Sequence, residues 1–156
     1  VNNLDLINRN KNINRGYRKL EVWQEAIEFY VFVKKKVRKL NEVPFKITAQ
    51  VEDSAYSCPS NIAEGYGRRG LKESIQFNNV VLASLAENYT QIFALLEGAD
   101  IDRDWFDEYD PLHYKLENKL INYNKSQIKQ LKENVDWKND YVIRDIVERY
   151  DTKEIE

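Results

Sequence analysis

The sequence is poor in residues that interrupt or staple a chain: five glycines, three prolines, one cysteine (Cys58) and one histidine (His113) in 156 residues. So few breakers exclude an all-β fold with its many turns and favour long helices. A lone cysteine excludes an internal disulfide framework, and one cysteine with one histidine cannot complete a four-ligand zinc site within the chain. No run approaches the roughly 18 apolar residues of a membrane span. The opening stretch VNNLDLINRNKN has no apolar core of the signal-peptide kind, so a cytoplasmic chain without membrane contact is expected.

What is present is a charged, globular composition, 42% hydrophobic and 32% charged, long enough for one domain with a single core. The net charge of −2 hides a polarised chain. Residues 1–72 hold 14 Lys and Arg against 8 Asp and Glu, whereas residues 73–156 hold 10 against 18. A basic surface is therefore compatible with an acidic whole.

Residues 1–16, polar and ending at Gly16, read as a flexible N-terminal arm. Residues 17–134 read as a bundle of four helices. The first runs from Leu20 to Leu40 on a stripe of Leu20, Trp23, Ile27, Tyr30, Val33 and Val37, with Val22, Phe29 and Phe32 on a second side. That second side suits either a wide core stripe or a subunit contact. Thr48 is the expected N-cap of the second helix, whose core stripe is Ile47, Val51, Ala55, Cys58 and Ile62. The third spans Leu71–Glu97 through Ile75, Leu82, Leu85, Ala86, Tyr89, Phe93 and Leu96, and Gly98 is its stop. The fourth starts at Asp104 or, better, with Asp110 as N-cap and Pro111 at the first helical position. Its core face is Leu112, Leu116, Leu120, Tyr123, Ile128 and Leu131. Residues 135–156 form a partly helical extension, with a short amphipathic helix at 140–150. The fold class expected is an all-α, antiparallel, up-down-up-down four-helix bundle.

The chemistry-bearing candidates are few. In SCPSNIAEGYGRRG (57–70), Gly65, Gly67 and Gly70 have the formal spacing of a dinucleotide fingerprint, but a helix enters where such a site needs a strand. Ser57, Cys58 and Ser60 have no base beside them, and Cys58 falls on the core stripe as a small hydrophobe. His113 adjoins apolar positions and reads as packed or solvated. The acidic run Glu97, Asp100, Asp102, Asp104, Asp107, Glu108 and Asp110 lacks the glycine-pivoted spacing of a calcium loop. No enzyme, cofactor or metal is expected. Two basic patches remain as candidates for phosphate or partner contact: Lys34, Lys35, Lys36, Arg38 and Lys39 at the end of the first helix, and Arg68, Arg69 and Lys72 around the corner before the third. In an up-down bundle these lie at opposite ends. Pro59, Asn61, Glu64, Gly65 and Gly67 make a structural motif, in which Pro59 bends the helix, Ser57, Ser60 or Asn61 satisfies freed backbone groups, and Gly65 and Gly67 end it.

LEVWQEAIEF (20–29), ITAQVEDSAYSCPSNIAEGYGRRG (47–70) and ASLAENYTQI (83–92) together resemble the four-helix-bundle family of ribosomal-RNA intervening-sequence proteins, which includes the accessory variability determinants of diversity-generating retroelements. The resemblance covers about 20–98 closely and 104–131 by pattern. It implies a homopentamer without catalytic residues, an adaptor that binds a reverse transcriptase or related nucleic-acid enzyme and helps position structured RNA through basic surfaces. Where family members carry two basic residues, this chain has Glu52 and Asp53, and Gly70 stands where they have a capping serine. The alternative is a protein-interaction ring, without direct nucleic-acid binding, that holds a basic partner on its acidic face at 97–110.

Overall fold

The computed structural model describes residues 3–133. A one-turn helix α1 (Leu4–Ile7) and a 3-10 helix (Ile13–Lys19) precede four long helices: α2 (Glu21–Val37), α3 (Phe45–Gly67), α4 (Leu71–Glu97) and α5 (Arg103–Lys132). Helix α3 packs against α2 and α4, and α5 closes the ring by packing against α4 and α2. Among the described residues the architecture is an all-α bundle without strands. The extension expected at 135–156, with its helix at 140–150, lies outside them.

Helix existence follows the periodicity, but the buried faces are rotated from those read in sequence. In α2 the buried stripe is Val22, Ala26, Phe29, Val33 and Val37, while Trp23, Ile27 and Tyr30 lie half-buried at its margin. The core therefore takes Val22 and Phe29 from the side read as secondary and Val33 and Val37 from the main stripe. In α4 the buried face carries Ser74, Asn78, Ser84 and Asn88 among Leu71, Val81, Leu85, Ile92 and Leu95, leaving Ala86 and Phe93 exposed. In α5 it is Phe106, Tyr109, His113, Leu116, Leu120, Asn124 and Gln127, with Leu112 and Ile128 outside.

The polar groups in this interior are paired. Asn78 Nδ2 donates to Asn124 Oδ1 at 3.0 Å and to Gln127 Oε1 at 2.9 Å, and Gln127 Nε2 donates to Ser74 Oγ at 2.9 Å. One layer further along, Asn88 bridges three helices. It donates to the Val51 carbonyl (3.0 Å) and Ser54 Oγ (2.9 Å) and accepts from the Tyr109 hydroxyl (2.8 Å). Buried amides satisfied in this way cost little, whereas one left unpaired costs a full desolvation penalty.

Helix ends depart from expectation in two places. Helix α5 begins at Arg103, capped by Asp102, whose carboxylate accepts from the Trp105 amide at 2.8 Å, and Pro111 lies inside it. The Asp110 start is therefore incorrect: a cap at 102 lets the helix form before the proline, whose lost amide bond the surrounding packing outweighs. Helix α3 starts at Phe45 after Pro44, and the Thr48 hydroxyl donates to the Phe45 carbonyl instead of capping. Helix α4 ends at Glu97 with Gly98 as its stop, as expected, though Gly98 is right-handed and it is Ala99 that turns left-handed, at φ 60°. Lastly, α3 runs without interruption through Pro59. Ser60 and Asn61 donate to the carbonyls of Tyr56 and Ser57, not to that of Ala55, whose amide partner the proline removes.

Residues 1–16 were expected to be a loose arm; residues 3–19, an arm three residues longer at its end, fold into two helical pieces held on the bundle. The Tyr17 ring packs edge-on to Trp23 at 5.4 Å and to Tyr66 at 6.2 Å between centroids. Arg18 fastens the arm on itself, donating to the carbonyls of Leu6, Arg9, Asn10 and Arg15. Sequence polarity missed this because the arm is held by backbone acceptors and one aromatic anchor, not by an apolar stripe.

Candidate nucleic-acid interface

The two groups best suited to covalent or acid–base chemistry are both in the interior. Cys58 is fully buried, and desolvation pushes its thiol up to about 12, so it stays protonated and inert. His113 donates through Nε2 to the Leu85 carbonyl at 2.8 Å and sits among the rings of Phe29, Tyr89 and Tyr109. It borders an open groove of about 440 Å³ that Asp110, Tyr114 and Glu117 also line. Among the described residues no three His, Cys, Asp or Glu side chains come together to hold a metal ion. No helix there is long and apolar enough to cross a membrane.

The glycines of the 57–70 stretch serve packing. Gly65 is buried where α3 meets α4, and a Cβ there would lie 2.7 Å from the Phe77 Cβ. Gly67 has open space around it. The corner itself turns at Arg69, whose φ of 61° is left-handed, so the reversal is made by an arginine and not by the glycines before it.

Of the eight cations singled out in sequence, several are engaged within the fold. Lys36 pairs with Glu108 at 2.8 Å and lies over the rings of Phe32 and Trp105. Arg38 grips Glu52 with two bonds, of 2.7 and 3.0 Å. Glu52 is thus a bridge between the end of α2 and α3. Lys34 lies over the Tyr30 ring at 5.7 Å, and Lys35 and Lys39 project into solvent. At the other end Arg68 pairs with Glu64 at 2.6 Å and lies 5.4 Å from the Phe77 ring centroid. Arg69 is half-buried and donates to Asn14 Oδ1 at 3.0 Å, while Lys72 is exposed. Exposed pairs of this kind hold with only about 0–1 kcal/mol, so a phosphate can compete for them.

The two basic patches therefore differ in setting. The α2 terminus stands beside the start of α5, where the acidic run gathers. Of that run Asp102 is a cap, Asp107 pairs with Arg103 at 2.7 Å and Glu108 pairs with Lys36. The α3–α4 corner instead meets the N-terminal arm, through the Arg69–Asn14 bond and the Tyr17–Tyr66 contact. The arm was missed as a site element; the signal that would have found it is its five cations, Arg9, Lys11, Arg15, Arg18 and Lys19, against Asp5 alone.

Residues 18–122 match the family model described as 23S rRNA-intervening sequence protein. No curated protein and no solved structure matches the chain.

Proposed function

This chain belongs to the 23S rRNA-intervening sequence protein family, and on that premise we propose that it is a non-enzymatic, oligomeric adaptor that binds a reverse transcriptase or related nucleic-acid enzyme and helps position its RNA. The observation that carries the reading is a division of labour in the side chains. Reactive groups are buried and paired, as for Cys58 and His113, while Lys35, Lys39 and Lys72 stand in solvent without an ion pair among the described residues. Exposed apolar side chains on several faces, among them Phe93, Tyr114, Tyr56 and Val80, support assembly, for which a homopentamer is the proposed state. The link to diversity-generating retroelements belongs to this proposal. The acidic-face alternative draws less support, because Asp102, Asp107 and Glu108 already serve the fold.

Light scattering with fluorescence anisotropy on labelled RNA tests the reading. A mass near five times the 18.6 kDa of one chain, with RNA affinity that falls steeply with salt, is the expected result. A monomer at micromolar concentration removes the ring, and no RNA affinity at 50 mM salt removes the RNA half.

A further inference from the structure

The N-terminal arm gathers positive charge that the fold does not neutralise. Residues 3–19 hold five cations and one carboxylate, in a chain of net charge −2. Arg9 pairs with Asp5 at 3.4 Å, and Arg18 is engaged by the arm's own carbonyls. Lys11, Arg15 and Lys19 remain, none with an ion pair among the described residues. With Asn12 and Tyr66 they line a recess of about 340 Å³ between the arm and the end of α3. With Arg18, which also lines it, four like charges around one recess repel one another, and an anion seated there relieves that repulsion.

The recess is built and not incidental, because the arm is docked by fitted contacts. Gly16 lies so close to Tyr66 that a Cβ would overlap the hydroxyl and stand 2.8 Å from Cζ. Asn14 holds Arg69 from the other side of the corner. Docking therefore brings Lys11, Arg15 and Lys19 onto the same end of the bundle as Arg68, Arg69 and Lys72, and that end also carries the Lys125, Lys129 and Lys132 turns of α5. The matched family residues begin at 18, so nearly all of the arm lies outside them.

We infer that the docked arm and the α3–α4 corner form a binding surface for the phosphate backbone of RNA, with Lys11, Arg15 and Lys19 as its phosphate contacts. This rests on the reading of the chain as an RNA-handling adaptor. Amide and hydroxyl groups of Asn12 and Tyr66 in the same recess suit the mixed phosphate and ribose contacts of a nucleic-acid strand. A lipid surface fits less well: the cations line a recess instead of a plane, and the exposed Leu4 and Leu6 sit on a single helical turn.

The test is anisotropy of a labelled single-stranded RNA with the full chain from 50 to 200 mM NaCl, with circular dichroism and light scattering to verify fold and assembly. Lys11→Glu, Arg15→Glu and Lys19→Glu together should weaken binding by at least about tenfold and lower the log–log salt slope by about 2, at roughly 0.7 for each phosphate no longer neutralised. Gly16→Val, which keeps every charge but pushes the arm off Tyr66, should weaken binding severalfold. Charge reversal at Lys34, Lys35 and Lys39, at the far end, should weaken binding less than the arm triple does. If the arm variants bind as the parent does while the far-end variant loses affinity, the inference is overturned and the adaptor reading stands. If the parent binds no RNA at 50 mM salt, the RNA half of that reading fails with it. Parent binding to phosphatidylserine vesicles that the arm variant loses, with RNA affinity unchanged, overturns the inference in favour of a lipid surface.

Discussion

Replacing Asn88 by alanine should destabilise the bundle by about 2–4 kcal/mol, for reasons separable by experiment. Asn88 is fully buried and joins α4 to α3 through the Val51 carbonyl and Ser54 Oγ, and to α5 through the Tyr109 hydroxyl. After truncation, Val51 and Ser54 keep a partner in each other at 3.1 Å, and Ser54 keeps Gln91 at 2.7 Å. The two bonds removed there cost about 0.5–1.5 kcal/mol each. The Tyr109 hydroxyl keeps no partner among the described residues, and orphaning it costs about 1–3 kcal/mol. Better helix propensity of alanine returns up to about 0.7 kcal/mol. In urea, at one fixed protein concentration because assembly couples to stability, the midpoint should fall without a change in slope; Tm should drop by about 4–16 °C. The decisive measurement is the cycle with Tyr109→Phe. Each single variant strands one polar atom and the double strands neither, so the double should be less destabilised than the sum by about 1–2 kcal/mol. A single cost under about 1 kcal/mol, or additivity within about 0.5 kcal/mol, refutes the account of the polar layer.

Three further outcomes are expected. Gly65→Ala should cost about 1–3 kcal/mol, because its Cβ meets that of Phe77 at 2.7 Å, whereas Gly67→Ala should be neutral or stabilise by up to about 1 kcal/mol; thermal melts separate them. Ala99→Gly should stabilise by about 1 kcal/mol in the same assay, since the left-handed φ of 60° falls on a residue with a Cβ. Cys58 should resist thiol reagents at pH 8 until the protein is unfolded. Burial raises its thiol and the Tyr123 phenol to about 12, so both favour the fold below their unfolded pKa values; that stability is lost as pH rises from about 9 towards 12, and base-induced unfolding followed by circular dichroism should begin in that window.

The four long helices and most of their spans were legible, since few breakers and a 3.6-residue period leave little choice. The family was legible too: its motifs at 20–29, 47–70 and 83–92 all fall within the matched residues 18–122. Which face is buried was harder to read. A count of apolar positions assigns Ala86 and Phe93 to the α4 core and omits Asn78 and Asn88, because an asparagine is an interior residue only when its partners arrive from other helices. The same blindness governs the candidate interface. Lys36 and Arg38 read as free cations until Glu108 and Glu52, 72 and 14 residues away, are brought beside them. Lys11 and Arg15 read as part of a loose tail until Tyr17 and Gly16 dock it.

Those long-range pairings also bear on what a net charge of −2 means for this chain. The 27 residues of α4 separate the two ends of the bundle by about 40 Å, at 1.5 Å per residue. The Debye length at physiological salt is about 8 Å, so each end presents its own field to a partner and the sum over the chain decides nothing. One end carries the arm, the arginine corner and the last turns of α5; the other carries the acidic run together with the basic end of α2, Lys34 to Lys39, the two partly neutralising each other through Lys36 and Glu108. Keeping the ends apart requires the helices not to slip. Apolar stripes such as that of α2 tolerate a shifted register, but the Ser74–Asn78–Asn124–Gln127 and Asn88–Ser54–Tyr109 layers do not, since a shift by one turn would bury their amides unpaired. The polar interior thus fixes one alignment of α3, α4 and α5, and that alignment holds the arm-and-corner cations at a set distance from the mixed basic and acidic end.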